Sequence, residues 1–583
     1  MGWIGSIREW ALTGALFARH GRFLSLAARR GGIGVIISPA YCHPKLARPQ
    51  LARVRRVNTK PDVTQLQLRT VLPWIVAVVL LAVAPYLAAW ALAPVGQVFT
   101  GALINPNDLS VYLPALRQGA RGEWLFHFAF SPEPIPPRLT YPLYLLTGKL
   151  IPPSGDSGPI LFHALRAAMV VVALIGLVYW VRCALPGRTR TQLTAWLLIV
   201  FGGGFGWLLA PIVNDRLLIP DLSVPEWGGF MALFHTPHFA LGLGLEAMLF
   251  GALLQMTQPS SRWRSTILAS TLALIAGLIY PYNIPVIGLI IGVYVLTRTI
   301  REPRGAWREW SRGTILLAPL SALLLYYGVE ARSDPYWELT HVSNNIVSPP
   351  LPLGIVIGFG LTGVLALIGG WRWMRHEGNW LAPTWAIVNL LALYVPVPFS
   401  GRFALGLAVP IGTLAAYGLE QVVLATRTSG RSGLARRMAI GLGMPSVLTL
   451  LILRSVLLPR EFPYYLPAAE VRAAEWLAQH SDANNLILAY HPMGNYLPRV
   501  IDGRVFVGQL YLTVSLNEKL RLVERFWDEE TPAAWRERFV REWGITHIYQ
   551  GQHEQGITVG KVIPPGEIVY HSEGVTIYEV GAP

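Results

Sequence analysis

Charged residues are scarce in this sequence: Asp, Glu, Lys and Arg make up 14% of the 583 residues, whereas a soluble domain carries about 25%. Hydrophobic residues make up 53%, and apolar runs of about 20 residues recur along the chain. The scarcity of charge excludes a soluble globular protein, and the lack of any period in glycine and proline excludes collagen. The composition therefore predicts a polytopic α-helical membrane protein.

Cysteine is equally scarce, with only Cys42 and Cys183. Both fall on the predicted cytoplasmic side, so no disulfide framework is expected to support the exported parts. No Ser-His-Asp or paired-cysteine motif is recognisable. A cleavable signal peptide is not predicted either, because the first long apolar run begins near Val71, behind about seventy residues rich in arginine.

Eleven apolar segments are each close to the length that crosses about 30 Å of hydrocarbon. We place them at residues 71–95, 159–181, 191–213, 233–256, 266–280, 283–297, 313–328, 351–371, 380–398, 402–424 and 438–458. The fifth and sixth are short, and only Tyr280-Pro281-Tyr282 separates them. About eleven transmembrane helices are therefore predicted.

The net charge of +15 lies mostly in arginine clusters of alternate loops. These clusters fall near residues 182–190, 262–264, 298–312, 372–375 and 427–437. By the positive-inside rule these loops and the amino terminus are cytoplasmic, and an odd number of spans puts the carboxyl terminus outside. The distribution of basic residues thus predicts how the chain is oriented in a plasma (inner) membrane, and no nucleic acid partner is predicted.

The same alternation divides the chain into three predicted parts. They are a basic cytoplasmic segment at 1–70, a transmembrane domain at 71–458 and an extracytoplasmic α/β domain at 459–583. A long first exported loop, 96–158, separates the first two spans. In the last part, runs at 486–490, 505–507 and 546–549 predict strands, and 468–479 and 516–527 predict helices.

Polar side chains inside membrane spans are costly and usually functional. Most of them lie near the outer ends of the predicted spans, and the main ones are His235, His238, Tyr280, Tyr282, Asn283 and Arg402. A polar layer at that depth suits a substrate with an anionic head and a hydrocarbon tail, since a guanidinium can bind a phosphate there. The alternative is snorkelling and interhelical hydrogen bonding, which would explain each residue alone.

One carboxylate lies directly after the first span, where the exported loop begins with Asn105-Pro106-Asn107-Asp108 and continues to Tyr112. A carboxylate at the membrane surface can act as a general base that takes a proton from an acceptor hydroxyl. Asp108 is equally suited to be the N-cap of a helix from Leu109 to Gly119. Both interpretations stay open.

Other polar residues carry less information. Glu133 and Arg138 flank a proline-rich stretch of the same loop and are candidate substrate contacts, although loop acids are mostly solvated. His235 and His238 are three residues apart, but a metal site needs a third ligand that the sequence does not identify. No metal site is predicted, and a divalent cation is left open as a cofactor.

This layout resembles the GT-C superfamily of membrane glycosyltransferases, especially its bacterial protein-mannosyltransferase-like and lipid A aminoarabinose-transferase-like branch. The matching features are Asn107-Asp108 and Tyr112 after the first span, Pro136-Pro137 and Tyr141-Pro142 in an interfacial stretch, and the exported α/β tail. The resemblance implies a GT-C-like fold and an enzyme that passes a sugar from a polyprenyl-phosphate carrier to an acceptor on the outer side. It also implies that Asp108 is the catalytic acid/base and that Arg402 holds the carrier phosphate.

The leading hypothesis is thus an inverting membrane glycosyltransferase of bacterial type. Its partners would be membrane lipid, a polyprenyl-phosphate sugar donor, and a glycan, lipid or protein acceptor. Around the catalytic Asp108 we predict these substrate contacts: Asn107, Tyr112, Glu133, Arg138, His235, His238, Tyr280, Tyr282, Asn283 and Arg402. Two alternatives stay open: a lipid or sugar transporter or flippase, which would need a polar path to both faces, and a non-catalytic scaffold whose exported domain binds a partner.

Overall fold

Helices make up most of the described chain. The computed structural model describes residues 65–152, 157–209, 219–343, 345–425 and 432–581. Most of the predicted basic segment at 1–70, including Cys42, lies outside these residues. Cys183 is a free thiol.

Nine helices among the described residues are long and apolar enough to cross a membrane. They are Leu68–Ala91, Gly158–Ala184, Thr189–Leu209, Pro237–Met256, Pro281–Arg301, Pro303–Ser333, Pro352–His376, Ser400–Ala425 and Gly433–Ser455. Two shorter apolar helices, Trp263–Ile279 and Leu381–Ala392, occupy the places of the predicted spans 266–280 and 380–398. The protein is thus a polytopic α-helical membrane protein, which confirms the predicted class. The number of eleven crossings stays a prediction.

A break in the fourth predicted span, 233–256, separates two helices, Gly229–His235 and Pro237–Met256. Thr236 between them is extended, with φ −134° and ψ 158°. The second helix begins with a proline because a residue at the first helical position needs no N–H donor. The break leaves one histidine on each side of it, close to the helix ends.

Short helical turns form the ends of several of the long helices or connect one helix with the next. They are Gly206–Leu209, Pro220–Ser223, Pro281–Asn283, Pro303–Gly305, Pro335–Trp337, Glu338–Ser343 and Ser400–Ala404. The last of these carries Arg402 at the start of a span. These turns place polar side chains, Arg402 among them, at the ends of the long helices.

The first long loop folds into two helices, Pro106–Ala120, called the loop helix below, and Pro142–Leu150. They pack backbone against backbone, since a Cβ on Gly119 would lie 2.0 Å from the carbonyl oxygen of Leu145. Any larger residue at 119 would push the two helices apart. The loop is therefore a layer at the ends of the spans rather than a mobile connection.

The loop helix begins earlier than predicted. Asn105 precedes it in the left-handed region, with φ 45°, and Pro106 is its first residue. Asp108 therefore lies inside the first turn, and the interpretation of Asp108 as the N-cap is wrong. The helix starts early because proline suits the first helical position and asparagine tolerates a positive φ.

The chain after the last long helix forms a small α/β tail. The strands of the protein are β1 Gln97–Phe99, β2 Tyr465–Pro467, β3 Leu486–Leu488, β4 Arg504–Val505, β5 His547–Gln550, β6 Glu567–Ser572 and β7 Val575–Glu579. The tail sheet has the order β4-β3-β5-β7-β6. In it β3 runs parallel to β4 and β5, and β7 runs antiparallel to β5 and β6. The helices of the tail are Ala468–His480, His491–Tyr496, Leu516–Phe526, Ala533–Trp543 and Gln552–Ile557, with a short turn at Leu497–Arg499.

The loop and the tail lie on the same side of the spans. Strand β1, which follows the first long helix, pairs antiparallel with β2, which follows the last one. Side chains add to this contact: Arg117 Nε donates to Asp502 Oδ1 at 2.7 Å, and Asn495 Nδ2 donates to Asn107 Oδ1 at 3.0 Å. A site that begins in the loop can therefore include residues of the tail. The outward orientation of this side and the boundaries at 70/71 and 458/459 stay predictions.

A buried ion pair fastens the tail to the loop, and its loss should destabilise the tail. Lys519 Nζ, whose side chain is 2% exposed, donates to both carboxylate oxygens of Glu133 at 2.7 Å. We expect Glu133→Ala to lower the free energy of unfolding of the tail by about 2 kcal/mol, because it leaves a buried ammonium without its anion. Hydrogen exchange of the helix Leu516–Phe526 in the intact protein measures this. Glu537→Ala, an exposed acid of the next helix, is the control, and equal exchange rates in both variants would contradict the prediction.

The stability of the tail should depend on one buried acid, Glu554. Burial raises the pKa of its carboxyl to about 7, although the N–H groups of Tyr490 and Gly551 donate to it. The folded tail then holds a proton that the unfolded chain releases near its ordinary value of 4.5. The contribution of Glu554 to the free energy of unfolding should therefore fall as the pH rises from about 4.5 to about 7.

Comparison of the natural protein with Glu554→Gln isolates this contribution. Burial lowers the pKa of three tail histidines, which act with the opposite sign and are common to both proteins: His491, His547 and His553. Chemical denaturation at several pH values between 4 and 8 should give a difference that changes with pH in the stated direction. A constant difference would contradict the assignment.

Candidate functional site

A cavity of about 350 Å³ opens between the loop, the ends of the spans and the tail. Six of the predicted site residues line it: Asp108, Tyr112, His238, Tyr280, Tyr282 and Arg402. They come from four separate segments of the chain, which meet at one depth. The cavity therefore combines a carboxylate, a guanidinium and a wall of aromatic rings.

Asp108 enters the cavity from the first turn of the loop helix, where the helix dipole favours a negative charge. Its side chain is 32% exposed, so the carboxylate stays accessible. Its Oδ2 lies 3.8 Å from Nε2 of the buried His235, and that nitrogen has no hydrogen-bond partner among the described residues. The carboxylate and the imidazole thus face each other at the edge of the cavity.

Arg402 is held from behind by two partners. Its Nη1 lies 3.3 Å from Glu226 Oε1, and its Nε and Nη2 donate to Asn345 Oδ1 at 3.1 and 2.6 Å. A guanidinium has five N–H donors, and three of them make these contacts, while Arg402 also lines the cavity. The guanidinium also lies over the ring of Tyr282, 5.0 Å from its centre. The arginine is therefore fixed in position but still able to bind an anion.

Glu226 is the counter-ion of this arginine and is almost fully buried. It also accepts a hydrogen bond of 3.0 Å from the Tyr280 hydroxyl. The sequence offers little sign of this role, because the residue lies in a short loop where most acids are solvated. A buried acid beside a partly buried arginine can be recognised only after the loop is folded against the span.

Aromatic rings form the wall of the cavity beside Asp108. Tyr112 stacks on Tyr144 with ring centres 4.7 Å apart, and the Tyr144 hydroxyl lies 2.7 Å from His238 Nδ1. Thr236 Oγ1 lies 3.1 Å from the same nitrogen. Burial raises the pKa of the Tyr112 and Tyr144 hydroxyls, so both stay protonated at neutral pH. The wall offers flat apolar faces with a few polar edges.

Two predicted substrate contacts, Glu133 and Arg138, lie outside the cavity. Glu133 pairs with Lys519 of the tail, and Arg138 pairs with Glu330 at 3.0 Å and Asp334 at 2.7 Å. Each charge thus meets an opposite charge on an adjoining segment, which the sequence does not reveal because the partners are far away along the chain. In the structure, both residues hold adjoining segments of the chain together.

Three further predicted contacts lie near the cavity without lining it. Asn107 accepts from Asn495, and His235 lies behind Asp108. Asn283 is buried and donates through Nδ2 to Glu246 Oε1 at 2.5 Å and to the Leu405 carbonyl at 3.1 Å. These residues support the walls of the site.

The structure also adds lining residues that the sequence did not indicate. They are Tyr141, Tyr144, Trp337, Asn345, Gln509 and Tyr511, among others. Tyr141 and Tyr144 belong to the interfacial stretch, and the last two belong to the tail. No pattern within the tail marks Gln509 as a cavity residue, since its position depends on the docking of the tail against the loop.

The metal-binding capacity of the site is small. Among the described residues no group of three or more His, Cys, Asp or Glu side chains is placed to hold a metal ion. Asp108 and His235 supply two donors, fewer than a structural metal site uses.

The fold and the cavity define a membrane-embedded helical protein with a charged site at the ends of its spans. No family model and no curated protein matches the chain, but solved structures do. The archaeal oligosaccharyltransferase AglB from Archaeoglobus fulgidus, in complex with an inhibitory peptide and a dolichol-phosphate, matches with a TM-score of 0.52 and 12% identity. The match covers 82% of this chain and 69% of AglB.

Two other solved structures are similar. ArnT from Cupriavidus metallidurans in the apo state has a TM-score of 0.50 and 15% identity, over 87% of this chain and 98% of ArnT. The arabinofuranosyltransferase AftD from Mycobacteria has a TM-score of 0.50 and 16% identity, over 90% of this chain and 42% of AftD. The chain therefore has the fold of the GT-C glycosyltransferases, which confirms the resemblance drawn from the sequence.

Proposed function

We propose that this chain is a membrane glycosyltransferase that moves a sugar from a polyprenyl-phosphate donor to an acceptor. The observation that carries the proposal is the cavity that contains both Asp108 and Arg402 at the ends of the spans. A base and a phosphate-binding cation are the two groups that such a transfer needs. The likeness to AglB, which was solved with a dolichol-phosphate, supports the choice of carrier.

The proposed reaction is a single displacement with inversion at the sugar carbon. The Asp108 carboxylate takes the proton of an acceptor hydroxyl or amide, and the acceptor atom forms a bond to the anomeric carbon. The bond from that carbon to the phosphate oxygen breaks, and the electron pair leaves with the lipid phosphate. The guanidinium of Arg402 binds the charge that develops on the phosphate.

The aromatic wall would bind the sugar and the first part of the lipid. Tyr112 and Tyr144 present stacked faces, and His238, fixed by two hydroxyl groups, presents an edge. Aromatic faces bind apolar surfaces at little entropic cost because the rings are rigid. This arrangement suits a ligand that is a sugar at one end and an isoprenoid at the other.

The proposed location is the plasma (inner) membrane, with the cavity and the tail outside and the amino terminus in the cytoplasm. In support, Arg188 of one arginine-rich loop lies within 2.6 Å of Glu377 and 3.5 Å of Glu420. These contacts join segments that the charge pattern assigns to the cytoplasmic side. The cavity lies at the other ends of the same spans, as the alternation of loops requires.

A transfer assay in proteoliposomes tests the function. Polyprenyl phosphates that carry a pentose or a hexose are the donors, with lipid, glycan and peptide acceptors in turn. We expect free polyprenyl phosphate and a glycosylated acceptor in equal amounts by mass spectrometry. Movement of the labelled donor across the bilayer with no release of polyprenyl phosphate would favour the flippase alternative, which the fold comparisons do not favour.

A further inference from the structure

A second and larger cavity, of about 860 Å³, lies on the opposite face of the loop helix. It forms a groove between the end of the helix Leu68–Ala91, the start of the helix Gly158–Ala184 and the tail segment from Tyr496 to Asp502. None of its lining residues lines the Asp108 cavity. The groove is therefore a separate feature.

The lower half of the groove is apolar and faces the membrane. Leu87 and Ile160 are 57% and 66% exposed, and Val83, Ala164 and Ala167 continue the wall along the two helices. Both helices are long and apolar enough to span a membrane. Hydrocarbon chains of the bilayer can therefore enter the groove from the side.

The upper half of the groove is cationic. Arg117 and Arg121, on the last turn of the loop helix and just after it, line it. Arg499 of the tail also lines the groove, but its guanidinium donates to Ser110 Oγ and to the carbonyls of Thr100 and Pro106. The one acid among the described lining residues is Asp502, which pairs with both Arg117 and Arg121. The side chains of these two arginines are 32% and 36% exposed. The guanidinium groups of Arg117 and Arg121 and the one carboxylate leave an excess of positive charge at the head of an apolar slot.

The cationic end of the groove and the site of the proposed transfer lie at opposite ends of the loop helix. Asp108 and Arg121 are thirteen residues apart, which corresponds to about 20 Å at 1.5 Å per residue. A ligand whose phosphate lies beside Arg121 is therefore too far from Asp108 to react. A ligand in the groove is therefore bound there without taking part in the proposed transfer.

We propose that this groove binds an anionic membrane lipid. Its phosphate lies beside Arg117 and Arg121, and one acyl chain follows Leu87 and Ile160 into the bilayer. The cations explain the preference for an anionic head, and the apolar wall explains why the ligand is a lipid rather than a free phosphate. Because Arg499 and Asp502 belong to the tail, the lipid joins the tail to the spans.

Binding to the purified full chain in neutral detergent tests this proposal. The probes are dioctanoyl-phosphatidylglycerol, dioctanoyl-phosphatidylcholine and inorganic phosphate, each titrated and followed by native mass spectrometry and by the thermal unfolding midpoint. We expect phosphatidylglycerol to bind at least about tenfold more tightly than phosphatidylcholine. We expect it to raise the unfolding midpoint, since a ligand that binds the folded state stabilises it.

Three variants address the two halves of the groove separately. Replacement of both Arg117 and Arg121 by Gln should weaken phosphatidylglycerol binding at least about tenfold. Ala164→Trp should weaken it by filling the apolar slot. Asp502→Asn should strengthen it, because the competing carboxylate is removed. The last change has the opposite sign, which general damage to the fold does not produce.

Two matched controls complete the test. Ala168→Trp changes an exposed residue of the same helix outside the groove, and Arg460→Gln removes an exposed arginine at the start of the tail. Neither should change the binding of phosphatidylglycerol. Equal affinity for the two lipids, or unchanged binding in Ala164→Trp, would overturn the proposal. An equal thermal shift with inorganic phosphate would overturn it in favour of a free phosphate.

Discussion

The substitution Asp108→Asn is expected to lower the rate of sugar transfer about 10²–10⁴-fold, the range typical for loss of a general base. Asparagine keeps the shape of the side chain but does not accept the acceptor's proton at neutral pH. The side chain is accessible and lies in the first turn of the loop helix, so the change should leave the fold intact. The measurement is kcat with a saturating donor, together with the unfolding midpoint.

Glu123→Gln is the matched control for this prediction. Glu123 is a carboxylate of the same loop with a 40% exposed side chain, and it does not line the cavity. Its replacement should leave kcat unchanged. Full activity of Asp108→Asn would remove Asp108 from the proposed mechanism, and equal losses in both variants would point to a general effect of charge in the loop.

The substitution Arg402→Ala should lower kcat about 10²–10³-fold, because the phosphate that leaves would lose its cation in the transition state. Arg402→Lys should recover part of this loss, since an ammonium keeps the charge but not the planar pair of donors. Arg375→Ala, at an exposed arginine of another span, is the control and should be fully active. Steady-state transfer rates with a polyprenyl-phosphate donor measure all three.

A second variant separates catalysis from stability at this arginine. Removal of Arg402 alone leaves the buried Glu226 without its counter-ion, which is destabilising in itself. The double variant Arg402→Ala with Glu226→Gln removes both charges and should restore the unfolding midpoint without restoring transfer. If transfer returns together with the midpoint, Arg402 has a structural role only, and the assignment to the phosphate fails.

Part of the site could be predicted from the sequence, because the position of a polar residue within an apolar run indicates its depth in the membrane. His238, Tyr280 and Arg402 each stand near the end of an apolar run, and this position alone predicted a common polar layer. Glu133 and Arg138 were predicted only from their position in the first exported loop, and they lie outside the cavity. Depth and proximity in sequence do not say which of two neighbouring loops a charged side chain will contact.

The tail gives a similar contrast. Strands β3 and β5 overlap the predicted runs 486–490 and 546–549, while β4 shares only Val505 with the run 505–507. The hairpin of β6 and β7 was not predicted, because its outer strand is half exposed and carries mixed residues. The pairing of β1 with β2 joins residues more than 360 positions apart and has no local pattern at all.

Hydropathy and the spacing of basic loops were sufficient to establish a multi-span membrane protein with polar residues at the ends of its spans. Both properties are averages over about 20 neighbouring residues, so they can be obtained from the sequence without knowledge of the fold. The grouping of Asp108, Arg402 and their partners around one cavity came from the folded chain. Arg402 and Glu226 are 176 residues apart, and only the packing of their helices and loops brings such distant side chains within hydrogen-bond distance.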